Sequence, residues 1–197
     1  MSQYFVFYKP YCTLCQFSPE GEKKTLAHYF SHVSKAVYPV GRLDYDSEGL
    51  LILTDDKSLT KTLLDPVFAH QRTYYVQVEG RITKEALYQL QQGVKINVDG
   101  KPYTTKKAVA VELASEPDLP QRYPPIRERK NIPTSWVALT LTEGKNRQVR
   151  KMTAAAGFPT LRLVRYSIGK VNIDDMESGS FRTFDAGIKQ LLLAKEE

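Results

Sequence analysis

The sequence predicts an α+β protein whose core is a mixed, largely antiparallel sheet with a few flanking helices. Short runs rich in β-branched and aromatic residues recur in every part of the chain. Helical periodicity is confined to three segments, and strands and helices do not alternate as a parallel βαβ series would require. At 197 residues the chain can bury a sizeable core, and residues 1–197 are read as a single domain made of two joined halves.

Taken in order, residues 4–8, 50–54, 73–78 and 135–142 carry the residue types that favour half-buried strands. Residues 94–98 lead into the turn dipeptide Asp99-Gly100, and residues 108–113 are the expected hairpin partner. Helices are expected over 58–64, 84–92 and 147–156, the last two stopped by Gly93 and Gly157. Between Pro117 and Pro133 the chain holds five of its 11 prolines together with Arg122, Arg127, Arg129 and Lys130. This reads as a surface loop, either a plain connection or one that grips a polyanion.

Charge narrows the function classes. The 28 Lys+Arg against 22 Asp+Glu leave a formal charge of +6, which favours polyanionic partners over neutral small molecules. No stretch is long and apolar enough to span a bilayer, and MSQYFVFYKPY lacks the basic start and apolar run of a signal peptide, so no membrane partner and a cytoplasmic location are expected. Cys12 and Cys15 form a C-x-x-C, but no second pair follows and the three histidines are scattered. No metal site is expected.

Three segments carry the functional signal. In GRLDYDSEGLLILTDD, Gly41 and Gly49 allow tight turns on both sides of Arg42-Leu43-Asp44, so the loop presents Asp44. From the residues alone Asp44 is either a turn cap or a displayed carboxylate. In TEGKNRQVRKMTAAAGFPTLRLVRYSIGK, residues 142–170, seven basic residues stand against Glu143 alone. On the expected helix Arg147, Arg150 and Lys151 share one face, while Val149, Met152 and Ala156 turn toward a core. A cationic stripe backed by packing suits a phosphate chain. In HQRTYYVQVEG, Tyr74 and Val76 share one strand face and Tyr75 and Gln77 the other. Such a tyrosine is either a packing residue or a surface on which a base can stack.

Together these segments resemble the RsuA family of pseudouridine synthases. GRLD followed by SEGLLILTDD is similar to the family's G-R-L-D and S-G-L-L-L-L-T-N-D, EGKNRQVRKM to its E-G-x-x-R-Q-V-R-R-M, and RTYYVQVEG to its Lys/Arg-x-Tyr strand. The order and approximate spacing agree, and the likeness covers roughly residues 4–185. It is greatest to members acting on 23S rRNA. Two departures are visible: Phe7-Tyr8-Lys9-Pro10 with Cys12 stands where the family has F-N-K-P, and the chain begins directly with the catalytic-domain strand rather than with an S4 module.

The resemblance implies a pseudouridine synthase fold with the active site in a cleft between the two halves. It implies a monomeric enzyme that isomerises a uridine of rRNA without cofactor, nucleotide or metal, because the reaction only moves the ribose attachment of the uracil from N1 to C5. It makes Asp44 the essential carboxylate and Arg150 its partner; an arginine there favours the ionised carboxylate and fixes its orientation. The target base must leave its stack. Arg42 is implied to fill the vacated space, Tyr74 to pack on the flipped uracil and Leu163 to supply an apolar wall. Lys145, Arg147 and Lys151, with Arg127, Arg129 and Lys130 of the proline-rich loop, are the expected RNA contacts. Two other readings compete. A catalytically silent RNA-binding or assembly factor could keep the fold, but the joint presence of Asp44, Tyr74 and Arg150 argues against it. A carboxylate-dependent hydrolase would need Asp46 or Glu48 as a second acidic group.

Overall fold

A computed structural model describes residues 2–126 and 132–194. In chain order the first half comprises β1 (Tyr4–Lys9), β2 (Thr13–Leu14), β3 (Lys24–Thr25), β4 (Tyr38–Pro39), β5 (Glu48–Thr54) and α1 (Lys57–Leu64). There follow β6 (Arg72–Glu79), α2 (Lys84–Gln92), β7 (Lys95–Val98), β8 (Lys101–Thr104), β9 (Val109–Glu112) and β10 (Thr134–Leu141). The chain closes with α3 (Gln148–Ala155), β11 (Thr160–Ile168), β12 (Val171–Asn172), β13 (Phe181–Phe184) and α4 (Ile188–Leu193).

Nine strands form one sheet in the order β13-β1-β5-β11-β6-β10-β9, with β12 added to β11 and β4 to β5. Every pairing in it is antiparallel except β5 with β11, which run parallel over Val164↔Glu48 and Arg165↔Gly49. That short seam joins β13, β1 and β5 to the β11-β6-β10-β9 part of the sheet. β1 and β5 are buried along their whole length, and the alternation of side chains sorts them onto two faces. Tyr4, Val6, Tyr8, Leu50 and Ile52 pack with Val164, Ile168, Ile188 and Leu192 on one face; Phe5, Phe7, Leu51 and Leu53 pack with Leu26, Phe30 and Leu43 on the other. A third cluster joins Val76, Val78, Leu90, Val137, Val149 and Met152 under α2 and α3.

The expected strands and helices are present with ends shifted by one or two residues, and local chemistry explains the helix starts. Asp56 caps α1 by accepting from the Ser58 and Leu59 amides, and Thr83 caps α2 by accepting from Ala86. One pairing is corrected. Lys95–Val98 folds back on Lys101–Thr104 rather than on residues 108–113, because the two-residue Asp99-Gly100 turn brings the very next residues into register. Residues 109–112 instead form β9, at the edge of β10.

β11, β13 and α4 lie outside the expected elements. In β11 the basic side chains mask an otherwise apolar strand: Arg162 and Arg165 are both buried rather than part of a cationic face. The proline-rich loop is docked as far as it is described. Leu119 packs on the first cluster, the Pro120 carbonyl accepts from Arg162 at 2.7 Å, and the Arg122 guanidinium lies 4.2 Å above the Tyr11 ring. Arg127, Arg129 and Lys130 fall outside the described residues.

Candidate active site

Asp44 stands in the loop that delivers the chain into β5, at the mouth of the seam. Gly41 and Gly49, which flank it, both have positive φ, +74° and +102°. At Gly49 the requirement is also steric: a Cβ would lie 2.3 Å from the carbonyl oxygen and 2.7 Å from the nitrogen of Arg165. The loop is braced from below by the C-x-x-C segment. The Cys15 thiol donates to the Leu43 carbonyl and accepts from the Leu43 amide, each at 3.3 Å, and the Cys12 amide donates to the Tyr45 carbonyl at 2.9 Å. The two free cysteines thus hold the residues on either side of Asp44. Lys9 is buried nearby, its Nζ donating to the Pro10 carbonyl at 2.8 Å; burial pushes its ammonium down to about 8.

Across the seam, the start of α3 presents two arginines to this loop. Arg147 adopts a left-handed conformation as the residue before the helix, and its guanidinium grips the Asp46 carboxylate through two bonds of 2.9 and 2.8 Å. The same side chain places Nη1 3.5 Å from Asp44 Oδ2. Arg150 donates Nη2 to the Asp46 backbone carbonyl at 2.5 Å and approaches Ser47 Oγ at 3.5 Å, with its Nε 3.5 Å from Asp46 Oδ2. The expected Arg150–Asp44 pair is therefore replaced by an Arg150–Asp46 contact, and Arg147 bridges both aspartates. The helix phase explains the exchange: Arg150, one turn into α3, is turned inward beneath the loop, whereas Arg147 at the cap reaches over it. The hydrogen-bonded Arg147, reinforced by the charge of Arg150, holds the Asp46 carboxyl below its ordinary value against the opposing effect of burial.

Asp44 opens onto a cleft of about 1030 Å³, at the upper end of ordinary ligand pockets. Tyr74 and Leu163 line it, as do Arg42, Lys145 and Arg147. Tyr74 packs between the second and third clusters, and Leu163 is buried against the second. Arg42 is exposed at the rim, and Lys145 sits 5.0 Å above the Tyr103 ring. Lys151 does not line the cleft and approaches Asn146 Oδ1 at 3.5 Å. Both candidates for the second acid of a hydrolase are engaged, since Asp46 is held by Arg147 and Glu48 is buried against Arg162 at 2.9 Å.

Several residues of the site escaped the sequence reading. Ser47 lay inside a quoted motif without a role, and Asp46 was named only as a possible second acid of a hydrolase. Arg72 and Arg165 also border the cleft, although both sit in strands among apolar neighbours. An apolar wall of Leu63, Leu64, Pro66 and Ala69 faces them.

Comparison with known proteins accounts for this arrangement. The family model described as RNA pseudouridylate synthase matches residues 3–155. The chain is 47% identical over 177 residues to the ribosomal large subunit pseudouridine synthase E of Vibrio parahaemolyticus, covering 90% of this chain and 71% of the relative. It is 49% identical over 168 residues to the protein of the same name from Xanthomonas axonopodis pv. citri, covering 84% and 85%. A solved structure titled "Crystal structure of pseudouridylate synthase" superposes with a TM-score of 0.78 at 26% identity, over 98% of this chain and 74% of its own. A family match that spans both the Asp44 loop and α3, together with relatives 47% and 49% identical over most of the chain, places this chain in the RNA pseudouridine synthase family.

Proposed function

We propose that the protein converts one uridine of large-subunit ribosomal RNA, in 23S rRNA, to pseudouridine, with Asp44 as the essential carboxylate. The observation that carries the reading is the convergence of Asp44, Arg147, Tyr74 and Leu163 on one cleft. The names of the relatives, ribosomal large subunit pseudouridine synthases, support the choice of RNA.

In this reading the reaction breaks the C1′–N1 bond, turns the base and joins C5 to C1′. Asp44 acts on the ribose or the base while Arg147 orients its carboxylate, and Arg150 acts on the loop through Asp46 and Ser47. Arg42 props the stack that the flipped nucleotide leaves, Tyr74 packs on the uracil, and Leu163 closes the apolar wall. Lys145, Arg147 and Lys151 meet phosphates, as do Arg127, Arg129 and Lys130. The protein works as a monomer in the cytoplasm, without a cofactor.

Tritium release from 23S transcript labelled at uridine C5 tests the reading, because joining C5 to C1′ expels the C5 hydrogen. Wild type should release tritium without any added cofactor, and Asp44→Asn should release none while keeping RNA affinity within about twofold, the interaction lost being one made in the transition state. Absence of release by wild type from both transcript and precursor particles, with binding intact, would favour the silent binding factor. Turnover by Asp44→Asn would remove Asp44 from its role.

A further inference from the structure

Among the described residues Arg165 is a buried cation with no carboxylate in ion-pairing reach. It is 4% exposed, its Nε donates to the Leu50 carbonyl at 2.7 Å, and its Nη2 has no hydrogen-bond partner among the described residues. Three residues earlier on the same strand, Arg162 has a carboxylate of its own. Arg72, on β6 and also lining the cleft, donates to the carbonyls of His70 at 3.3 Å and Leu63 at 2.8 Å. Burial lowers the Arg72 pKa; nearby Tyr74 opposes the shift and the charge of Arg165 adds to it. No carboxylate among the described residues lies within ion-pairing distance of either.

Two guanidiniums bordering one cleft without a carboxylate of their own among the described residues are costly unless something negative visits them. Both border the cleft that holds Asp44 and Tyr74, and Tyr74 is the register partner of Arg165 on β6. Their placement is rigid. Gly49 lets β5 press against the Arg165 backbone, and β11 shifts register between Arg165 and Ser167, an irregularity of the kind that re-aims a side chain at a site.

We propose that Arg165, assisted by Arg72, stabilises the negative charge that develops on the uracil when it separates from the ribose. This rests on the pseudouridine synthase reading and extends it to the base half of the reaction. Heterolysis of C1′–N1 leaves the bonding pair on N1, delocalised onto O2 and O4 of the uracil. Guanidinium N–H groups fixed beforehand meet that charge without reorganising. Rotation then brings C5 to C1′; the new carbon–carbon bond forms, C5 loses its proton and N1 gains one, so the sum is an isomerisation. Asp44 serves the opposite side of the bond, which separates a carboxylate for the sugar from guanidiniums for the base.

The test compares uridine with 5-fluorouridine at the target position under single-turnover conditions, following loss of the target nucleoside by digestion and chromatography. Fluorine stabilises the uracil anion by itself, so it should relieve an enzyme that no longer does. Arg165→Gln is expected to slow uridine conversion about 100-fold, the scale of one lost oxyanion donor, and to slow 5-fluorouridine conversion about tenfold or less. Arg165→Lys, which keeps the charge and is the milder change for folding, should show the same asymmetry with smaller losses. Arg72→Gln should follow it, with RNA affinity unchanged in all three. Equal losses on the two substrates, or no loss on uridine, would overturn the proposal. The wild-type rate on uridine, measured alongside, tests the pseudouridine synthase reading separately.

Discussion

Arginine–carboxylate contacts at two places tie the Asp44 loop and β5 to the C-terminal segment, and the two places differ chiefly in depth. Arg162 and Glu48 meet at 2.9 Å with side chains 6% and 2% exposed. Arg147 meets Asp46 at 2.8 Å and Asp44 at 3.5 Å with its own side chain 42% exposed. The buried pair cannot be exchanged for water or substrate, so it fixes the seam and, through the Pro120 carbonyl, the start of the proline-rich loop. The exposed cluster can trade partners. It suits a site where RNA phosphate must compete for a guanidinium while a carboxylate stays oriented.

The sharpest way to break the comparison is to remove one member of each pair. Arg162→Met leaves Glu48 charged and buried, and should destabilise the protein by about 3–5 kcal/mol in denaturant unfolding. Adding Glu48→Met should recover most of that loss; a double variant as unstable as the single one would show that the Pro120 contact, not the ion pair, holds the seam.

Lys9 offers an intermediate effect. Its folded value of about 8 lies below the ordinary 10.5, so between these values the unfolded chain binds a proton that the folded protein does not. Stability should therefore rise with pH across that window, the penalty being fully present below about pH 8. Lys9→Met should remove this slope, and the stability difference between wild type and variant should change by about 1–2 kcal/mol from pH 7.5 to 9.5. An unchanged difference would mean that Lys9 is charged throughout.

Arg147→Ala should have the smallest effect on folding, within about 1 kcal/mol, as exposed ion pairs do. Its effect should appear instead in RNA binding, where the logarithmic salt slope should fall by about one. A stability loss comparable to that of Arg162→Met would place Arg147 with the structural pair.

Much of this molecule was legible along the chain because the signals are local. Alternating apolar residues mark β1 and β5, Asp56 and Thr83 cap α1 and α2, and Gly93 and Gly157 stop α2 and α3. The chain also displayed Asp44 between two glycines and placed Tyr74 and Leu163 in motifs whose residues do meet in one cleft. Charge counting misread β11, however, because a buried arginine and a solvent-facing one look alike in sequence.

Which carboxylate each arginine takes was settled by tertiary structure. The phase of α3 over the loop gives Arg147 both aspartates and turns Arg150 under Asp46. The parallel seam brings Glu48, 114 positions away, against Arg162 and leaves Arg165, which lines the same cleft as Arg72, without a carboxylate among the described residues. Local propensity reports the state of each segment, but the energy of a charge depends on depth and neighbours, and those exist only once distant strands have met.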